Sequence, residues 1–571
     1  MMPAKNLILI SALALAGCGT AKHTLDFDPY AYTAAKKVTA THGAVVSAHA
    51  LASKAGVAVM KAGGNAFDAA IATQLALAVV YPGAGNLGGG GFMVARRPQD
   101  ELLALDFRET APAAAHRDMY LDAGGNVVPG KSLNGHLSAG VPGTAAGLSE
   151  TLRYARLPFA TLIQPAIALA AQGFVLTQRE AEALNGLQDD FRTYNTVSPV
   201  FVKKGNNWKA GDTLVQPQLA RTLHRMARKG ARGFYRGRTA RLITSEMRRG
   251  GGLITSRDLR TYRAKWRQPH AFTYKGYTVV SMPMPSSGGT LLHQMLRMVE
   301  NRPLPSYGFL SPEAVQLMTE AERRAFADRA EYMGDADFVK VPVDALTSDA
   351  YLQQRMADYQ PGRAGSSATI RPGKLPLKES EETTHLSILD AEGNAVAVTT
   401  TLNNWFGSKT VVGGAGFLLN DEMDDFSARP GTPNLYGAVG GEANAIAPGK
   451  RMLSSMTPTL VLQNGKPFLV TGTPGGTTIP TSVFQTLVNI IDFGLPAAEA
   501  VNGPKFHHQW LPDRIDVEAS FPETVRAALE RMGYQITIRG TIGRTEVIRV
   551  LPGGALEAVA DGRGEDSAEG F

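Results

Sequence analysis

The sequence predicts an α/β protein built from layers of helices and sheets. Strand-like segments lie before and after a long helical block, and segments with helical spacing flank them. No Ser, Gly or Pro linker is long enough to separate independent cores. We therefore expect the 571 residues to form one intertwined body, although length alone suggests about three or four domains. An α-β-β-α layer order suits this pattern, which by itself leaves other α/β arrangements open.

Helix caps and apolar spacing set the predicted boundaries. Alanine, leucine and valine recur at helical spacing over residues 48–62, and Gly63-Gly64 ends this helix. Asn65 can cap a second helix that continues to about residue 80, before Pro82. The other predicted elements are strands at residues 92–96 and 102–107, a mainly helical block from residue 144 to about 333 with strands near 271–282, and helices at 482–493 and 522–532.

Two hairpins are predicted in the last third of the chain. Residues 385–389 and 395–402 flank the turn at 390–394, where Gly393 is available for a positive φ. A second pair of strands, at residues 459–462 and 468–471, flanks Asn464-Gly465, a strong signal for a type I′ turn.

Composition excludes general disorder, because 44% of residues are hydrophobic and 19% are charged. The formal charge is +7 and the isoelectric point is about 9.2, yet basic residues are scattered among acids rather than gathered in one run. Residues 221–249 are the densest basic stretch, and the pattern there is that of two amphipathic helices. We interpret it as a solvated face, and nucleic-acid binding is not supported.

The N-terminus has the features of an export signal. Lys5 precedes an apolar run at residues 7–16, which is too short for a comfortable transmembrane helix. The run ends at Leu15-Ala16-Gly17-Cys18, and Cys18 is the only cysteine. Small residues before this cysteine resemble a bacterial lipobox, which implies a signal peptide at 1–17, a lipidated Cys18 and a polar tether at 18–37. An ordinary signal peptide with an incidental cysteine is the alternative.

Thr383 is the candidate nucleophile. It follows a charged, loop-like segment and begins a predicted strand. If the preceding bond were cut, Thr383 would carry both a hydroxyl and a free α-amine, whose ordinary pKa of about 7.7–8.0 suits a general base near neutral pH. Ordinary β-propensity also explains threonines at a strand start.

Short motifs along the chain decide between these interpretations. They are residues 63–70, 88–93, 106–109 and 285–289, Thr383-Thr384-His385, Thr401-Leu402-Asn403, and residues 420–427, 453–459 and 471–476. In this order, and from about residue 37 to the C-terminus, the sequence resembles the γ-glutamyltransferase family. The resemblance implies the N-terminal-nucleophile hydrolase fold, a four-layer αββα sandwich. It also implies a precursor cut between Glu382 and Thr383 into a large subunit, 38–382, and a small catalytic subunit, 383–571.

The resemblance also implies residue roles. Thr383 would be the nucleophile and Thr401 would orient it, while the backbone N–H groups of Gly475 and Gly476 would stabilise the oxyanion. The donor's α-carboxylate would bind Arg108, Ser454 and Ser455, and its α-ammonium would bind Glu422, Asp425 and Asn403. Tyr436, in a Gly- and Pro-rich segment, resembles a lid tyrosine. Without the resemblance, these residues have ordinary explanations: a strand threonine, a turn at Pro474-Gly475, a helix cap at Asp424-Asp425 and a surface aromatic.

The implied activity is γ-glutamyl transfer from glutathione and related donors to water, an amino acid or a dipeptide. No metal or organic cofactor is implied. Proteins on the same scaffold suggest two alternative functions, a β-lactam side-chain acylase and a poly-γ-glutamate depolymerase. An inactive peptide-binding lipoprotein is a third alternative. The expected location is the bacterial outer membrane, facing the periplasm, or otherwise the soluble periplasm.

Two further patterns have simpler explanations. Residues 83–88 satisfy the G-x-G-x-x-G spacing of dinucleotide-binding loops, but they follow a helix and enter a strand, which is the reverse of that motif's context. We expect the glycines at 88–91 to let backbones crowd near the active centre. His507-His508 lack partners at zinc-site spacing, so we expect a packed pair.

Overall fold

In the computed structural model, two seven-stranded sheets face each other. The structure describes residues 25–99, 101–371, 383–429 and 442–571. The strands are β1 Lys37–Ala40, β2 Gly43–Ser47, β3 Gly90–Arg97, β4 Glu101–Asp106, β5 Phe174–Val175, β6 Thr213–Leu214, β7 Lys265–Arg267, β8 His270–Tyr274, β9 Tyr277–Ser281, β10 Thr384–Asp390, β11 Ala395–Thr401, β12 Thr459–Gln463, β13 Lys466–Gly472, β14 Phe506–His507, β15 Ile515–Glu518, β16 Ile536–Arg539, β17 Glu546–Val550, β18 Leu556–Val559 and β19 Ser567–Gly570.

Helices cover the outer surfaces of both sheets. They are α1 Ala50–Lys61, α2 Ala66–Val80, α3 Thr144–Thr151, α4 Phe159–Leu162, α5 Gln164–Gln172, α6 Gln178–Gly186, α7 Gln188–Thr193, α8 Pro217–Lys229, α9 Arg232–Tyr235, α10 Gly237–Gly250, α11 Ser256–Thr261, α12 Gly288–Glu300, α13 Leu304–Tyr307, α14 Pro312–Tyr332, α15 Val343–Leu346, α16 Asp349–Arg355, α17 Thr478–Ile491, α18 Ala497–Asn502 and α19 Glu523–Arg531. Short 3₁₀ helices lie at His136–Ser138, Leu152–Tyr154, Glu422–Asp425 and Glu442–Asn444.

The layers stack in the predicted α-β-β-α order. The first sheet has the strand order β19-β2-β10-β11-β3-β4-β7, and the second has the order β1-β18-β17-β13-β12-β9-β8. Aliphatic side chains from both sheets, such as Val46, Val94, Val280 and Val470, form the core between them. Residues of α1 and α2 pack in the core on the other face of the first sheet, and residues of α12, α14 and α17 do so for the second.

Both sheets combine strands from the two sides of residue 383. In the first sheet, β10 and β11 pair with β2 and β3, which lie more than 280 residues earlier in the chain. In the second sheet, β12 pairs with β9 and β18 pairs with β1. The expectation of one intertwined body is therefore confirmed, because neither side of residue 383 forms either seven-stranded sheet alone.

Local sequence signals explain the first helices. The side chain of Asn65 accepts hydrogen bonds from the N–H groups of Phe67 and Asp68, and the Asp68 carboxylate accepts from the N–H of Asn65 at 2.9 Å. This reciprocal capping satisfies donors that would otherwise be unpaired at the start of α2. The predicted boundary between the two helices is confirmed.

The two predicted hairpins are also present. Gly393 has φ of 83° in the turn between β10 and β11, while Asn464 and Gly465 have φ of 51° and 75° between β12 and β13. Two successive positive φ values define the type I′ turn that the Asn-Gly pair predicts.

The glycine-rich segment after α2 brings backbones together. A Cβ on Gly88 would lie 2.0 Å from the carbonyl oxygen of Leu418, and a Cβ on Gly89 would lie 2.0 Å from that of Thr401. The segment then enters β3 at Gly90 rather than a helix. As expected, these glycines serve close packing beside the end of β11 and do not open a dinucleotide-binding helix.

Some elements were not predicted. The short strands after residue 505 include β17 and β18 in the second sheet and β19 at the edge of the first. Part of the predicted tether also contacts the folded body: Tyr30 Oη donates to the carbonyl oxygen of Gln172 at 2.9 Å, and Lys36 Nζ donates to that of Asp561 at 2.9 Å. Both arrangements depend on residues distant in sequence, which local patterns do not reveal.

His507 and His508 form the packed pair that the sequence suggested, each being 1% exposed. His507 hydrogen-bonds Thr481 Oγ1 at 2.9 Å and Gln509 Oε1 at 3.0 Å, and His508 Nδ1 accepts from the N–H of Trp510 at 3.1 Å. Burial lowers the pKa of His507 to about 3 and that of His508 to about 4.

We expect the protein to lose stability as pH falls from about 6.5 to about 5. In this interval the unfolded chain binds protons at these histidines and the folded chain does not, so each histidine lowers the free energy of unfolding by up to about 1.4 kcal/mol per pH unit. The melting temperature should fall across this interval, and less so in His507→Gln. His116 is exposed, so the melting temperature of His116→Gln should decrease across this interval as much as that of the parent protein. A melting temperature that stays constant between these pH values would contradict the assignment.

Candidate active site

Thr383 lies directly before β10, at one end of the central hairpin. The antiparallel pairing of Thr384 with Thr400 continues outward to place Thr383 opposite Thr401, the last residue of β11. Thr383 is 4% exposed and Thr401 is 1% exposed. The Thr401 hydroxyl accepts a hydrogen bond from the N–H of Asn403 at 2.8 Å, which fixes its position at the end of the strand. The register therefore brings the predicted nucleophile and its predicted orienting residue together.

A small cavity lined by buried residues collects nearly all predicted site residues. Nine of the ten predicted catalytic and substrate-binding residues line it, and the tenth, Gly475, precedes one of them. The lining residues are Arg108, Thr383, Thr401, Asn403, Glu422, Asp425, Ser454, Ser455, Met456, Gly476 and Ile479. They come from six separate segments of the chain, so only the fold brings them together.

The Gly475-Gly476 turn leads into α17. Their φ values are 129° and 57°, a backbone region that favours glycine. The N–H of Thr478 donates to the Gly475 carbonyl and that of Ile479 to the Gly476 carbonyl, both at 3.0 Å. The first turn of this 14-residue helix thus borders the cavity, and the positive end of its dipole favours negative charge there.

Arg108 is the centre of a buried ion cluster. Its guanidinium donates to the carboxylates of Glu422 and Asp425, and Nη1 lies 3.7 Å from Glu109 Oε2. Glu422 and Asp425 occupy the first and last positions of one 3₁₀ helix, so their side chains reach the same guanidinium. The predicted cation and anion receptors are therefore adjacent parts of one cluster rather than separate sites.

Two asparagines fix the acidic segment in place. Asn420 Oδ1 accepts from the N–H groups of Glu422 at 3.0 Å and Gly140 at 2.8 Å, while its amide donates to the Gly88 carbonyl at 2.7 Å. Asn403, with φ of 78°, donates to the carbonyl of Asp421 at 3.0 Å. The glycine-rich segment and the end of β11 thus position the two carboxylates. Asn420 lies in a matching motif, but its role was not predicted.

The start of α12 holds the segment that contains Ser454 and Ser455. The N–H and hydroxyl of Ser287 donate to the Ser454 carbonyl at 2.7 and 2.8 Å, and the N–H of Ser454 donates to the Pro285 carbonyl at 2.9 Å. A Cβ on Gly288 would lie 2.2 Å from Thr457 Oγ1, so glycine permits this approach. The matching motif at residues 285–289 therefore holds the segment of Ser454 and Ser455 in place.

Glu109 is a site residue that the sequence reasoning missed. Its side chain is fully buried, and neither carboxylate oxygen has a hydrogen-bond partner among the described residues. Burial raises its pKa to about 8, although Arg108 opposes the shift. Burial likewise raises the pKa of Glu422 well above its ordinary value. The available signal was its position directly after Arg108 in a matching motif.

Three predicted residues lie outside the described part of the chain: Cys18, Glu382 and Tyr436. The predictions of lipidation, of the bond that is cut and of a lid tyrosine remain predictions.

The four-layer fold, with a threonine at the start of a central strand, is that of the N-terminal-nucleophile hydrolases. A crystal structure of cephalosporin acylase from Bacillus halodurans shares it, with a TM-score of 0.83 and 27% identity, covering 95% of this chain and 99% of that chain. A structure of Helicobacter pylori gamma-glutamyltranspeptidase has a TM-score of 0.56 and 47% identity, covering 57% of this chain and 94% of that chain.

The sequence comparisons narrow this class to one family. The family profile described as Gamma-glutamyltranspeptidase matches residues 52–571. A relative from Escherichia coli (strain K12), named glutathione hydrolase proenzyme, is 48% identical over 572 residues, covering 98% of this chain and 97% of the relative. The chain belongs to the gamma-glutamyltranspeptidase family, as the motifs indicated.

We expect Glu109→Gln to remove an ionisation near pH 8 from the pH dependence of substrate binding. Below this pH Glu109 is protonated, so the isosteric amide should leave KM near neutral pH within about twofold. Above it, the parent enzyme gains a buried negative charge beside Arg108 and the variant does not. KM measured from about pH 6 to 9.5 tests this expectation. Identical alkaline profiles for the two proteins would show that Glu109 does not titrate there.

Proposed function

We propose that this chain is a proenzyme that cuts itself between Glu382 and Thr383 and then transfers γ-glutamyl groups, with glutathione as a donor. The observation that carries the proposal is the single cavity shared by Thr383, Thr401, Gly476 and the Arg108 ion cluster. The name of the Escherichia coli relative supports both the substrate and the processing.

The nucleophile and its base belong to one residue. After cleavage, the α-amine of Thr383 accepts the hydroxyl proton as the hydroxyl oxygen attacks the γ-carbonyl carbon. Before cleavage the same nitrogen is an amide and cannot accept a proton, so the uncut chain is inactive. The hydroxyl of Thr401, opposite Thr383 in the hairpin, orients the attacking oxygen.

The negative charge that develops on the carbonyl oxygen is stabilised at the Gly475-Gly476 turn. Backbone N–H groups at this turn and the positive end of α17 supply the stabilisation, and losing one such donor typically costs about 3–4 kcal/mol. As the intermediate collapses, the C–N bond breaks and the amine leaves with the proton. Water or the amine of an acceptor then attacks the γ-glutamyl ester and regenerates the Thr383 hydroxyl.

The ion cluster recognises the amino-acid head of the donor. Its α-carboxylate binds Arg108, with Ser454 and Ser455 as further donors, and its α-ammonium binds Glu422 and Asp425, with Asn403. A zwitterion supplies one charge of each sign to a cluster that already contains both. Binding therefore exchanges ion pairs inside the cavity instead of burying an isolated charge.

The Arg108 ion cluster and the cavity beside it also argue against the alternative functions. A glutaryl side chain has no α-ammonium, so an acylase specific for it has no use for Glu422 and Asp425 beside the cavity. A depolymerase requires a groove that accepts a polymer, whereas the described cavity is small and lined by buried residues. Tyr436, as a lid, would cover the donor and set the ratio of hydrolysis to transpeptidation. An inactive lipoprotein would have no need of a nucleophile that faces its orienting threonine.

The proposed enzyme is exported and consists of two chains from one precursor. The N-terminal sequence supports lipidation at Cys18 and an outer-membrane location facing the periplasm. Within the described ranges, no helix has the length and apolar character to span a membrane. Membrane contact through the N-terminal lipid fits this arrangement.

Replacing the nucleophile tests the central step. Thr383→Ala should remain one chain and lose γ-glutamyl-anilide hydrolysis, whereas the parent should give two chains, the smaller beginning at Thr383. Thr384→Val is the matched control, since the buried Thr384 hydroxyl has no hydrogen-bond partner among the described residues; it should be cut and active. Mass spectrometry and the release assay measure both outcomes. Full turnover by an uncut chain would refute the mechanism.

Replacing one carboxylate tests donor recognition. Asp425→Asn should raise KM for the donor about 10- to 100-fold with a smaller change in kcat, because a buried bond to a charged group contributes about 1.5–3 kcal/mol. Asp424→Asn is the control: Asp424 accepts from the Ser132 hydroxyl at 2.5 Å and does not line the cavity. Unchanged donor kinetics in Asp425→Asn would remove this residue from the ammonium receptor.

A further inference from the structure

Residues 221–249 carry more positive charge than the whole protein. This stretch has ten Lys or Arg residues and one acid, a formal charge of +9, whereas the complete chain carries +7. The other residues together therefore carry −2. The one acid, Glu246, is buried and pairs with His136 and Arg249, so it does not neutralise the surface.

The basic residues lie on the outer faces of α8 and α10. In α8, Leu219, Leu223 and Met226 are buried, while Arg221 and Arg228 are exposed on the opposite side of the helix. In α10, Ile243 and Met247 are buried, while Arg238, Arg241 and Arg248 are exposed. We name these five arginines the basic face: Arg221, Arg228, Arg238, Arg241 and Arg248.

The two helices present one continuous surface. Arg225 of α8 crosses to α10, where its Nε donates to Thr239 Oγ1 at 2.9 Å. Its pKa is lowered first by burial and then by repulsion from Arg238, Arg221 and Arg228, so arginines of both helices lie within electrostatic range. Within the described ranges, Arg249 is the only Lys or Arg of the stretch with an acidic partner within 4.0 Å. The charge of the basic face is thus not used in ion pairs of the fold.

Three exposed apolar side chains lie near the start of α8. Tyr30, Val175 and Val215 are 53%, 38% and 36% exposed, and they are three of the six large hydrophobic side chains exposed in the described ranges. Tyr30 Oη bonds the Gln172 carbonyl, Val175 pairs with Thr213, and a Cβ on Gly173 would lie 2.8 Å from Val215 Cγ2. We name Tyr30, Val175 and Val215 the apolar triad. Val215 precedes α8 by two residues.

We propose that the basic face and the apolar triad together dock the protein on a membrane surface rich in anionic lipid headgroups. Arginines bind phosphate oxygens with bidentate geometry, and an aromatic ring with two aliphatic side chains can insert at the boundary between headgroups and acyl chains. A nucleic-acid duplex would use the charges but offers no apolar layer for the triad. The described structure begins at Leu25, five residues before Tyr30.

Vesicle flotation tests the proposal. The full chain, with Cys18→Ser in every protein to exclude a lipid anchor, should float with vesicles of equal parts phosphatidylcholine and phosphatidylglycerol and should not float with phosphatidylcholine alone. One basic residue near an anionic surface raises binding about fivefold. Combined Arg221→Gln, Arg228→Gln, Arg241→Gln and Arg248→Gln should therefore weaken binding at least about tenfold. Raising salt from about 0.1 to 1 M should have a similar effect, since it shortens the Debye length from about 10 to 3 Å.

Matched variants exclude a simple effect of net charge or surface polarity. Lys340→Gln, Arg363→Gln, Lys466→Gln and Arg531→Gln remove the same charge from exposed positions elsewhere and should leave flotation unchanged. Tyr30→Ala with Val215→Ser should weaken flotation, whereas Phe338→Ala with Ile538→Ser, exposed elsewhere, should not. All variants should retain γ-glutamyl-anilide hydrolysis, which shows that they fold.

Three outcomes would overturn the proposal. They are no flotation of the parent with anionic vesicles, an equal loss in the two charge-matched quadruple variants, and tighter binding of the parent to a DNA duplex than to anionic vesicles.

Discussion

The register between β10 and β11 is the constraint on which the active site depends. Side chains alternate between the two faces of a sheet, so a slip of one residue would turn Thr383 away from Thr401 and exchange the faces of the whole hairpin. Several contacts oppose such a slip. His385 bonds Thr399 Oγ1 at 2.9 Å and Ser387 Oγ at 3.1 Å. A Cβ on Gly472 would lie 2.3 Å from the His385 ring, so the second sheet packs directly against this strand.

Local signals in the sequence predict many of the helices, strands and turns around the active site. The capping residue Asn65, the Asn464-Gly465 turn and the alternating apolar residues of β10 and β11 act through neighbours in the chain, so they can be recognised without the fold. The motifs around Thr383 and Asp425 also named the residues that line the cavity. Glu109 was missed because nothing in its sequence neighbourhood shows that it is buried without hydrogen bonds. The sequence also predicts a solvated face at residues 221–249, and the five arginines of the basic face are exposed. That α8 and α10 bring their charges onto one surface depends on packing, which the local pattern does not reveal.

Buried acids in this protein fall into two physical classes. Burial alone would raise the pKa of Glu246, but hydrogen bonds from His136, Thr196, the Gly413 N–H and Arg249 lower it to about 2. These hydrogen bonds stabilise the ionised Glu246 carboxylate inside the protein, as is typical of an acid that holds neighbouring segments together. Neither Glu109 carboxylate oxygen has a hydrogen-bond partner among the described residues, and deeper burial moves its pKa in the opposite direction. Hydrogen bonding and depth of burial together separate the acid that holds the fold from the acid beside Arg108.

The same reasoning extends from the cavity to the surface. Replacing a buried ion cluster by apolar residues often stabilises a protein, and neighbouring arginines without acidic partners repel each other. Stability alone therefore explains neither the Arg108 cluster nor the basic face. Residues whose placement is not explained by stability are concentrated at the sites where proteins bind their ligands. In this chain, the cluster of Arg108 with Glu422 and Asp425 suits a small zwitterion, and the arginines of α8 and α10 suit an extended array of anions.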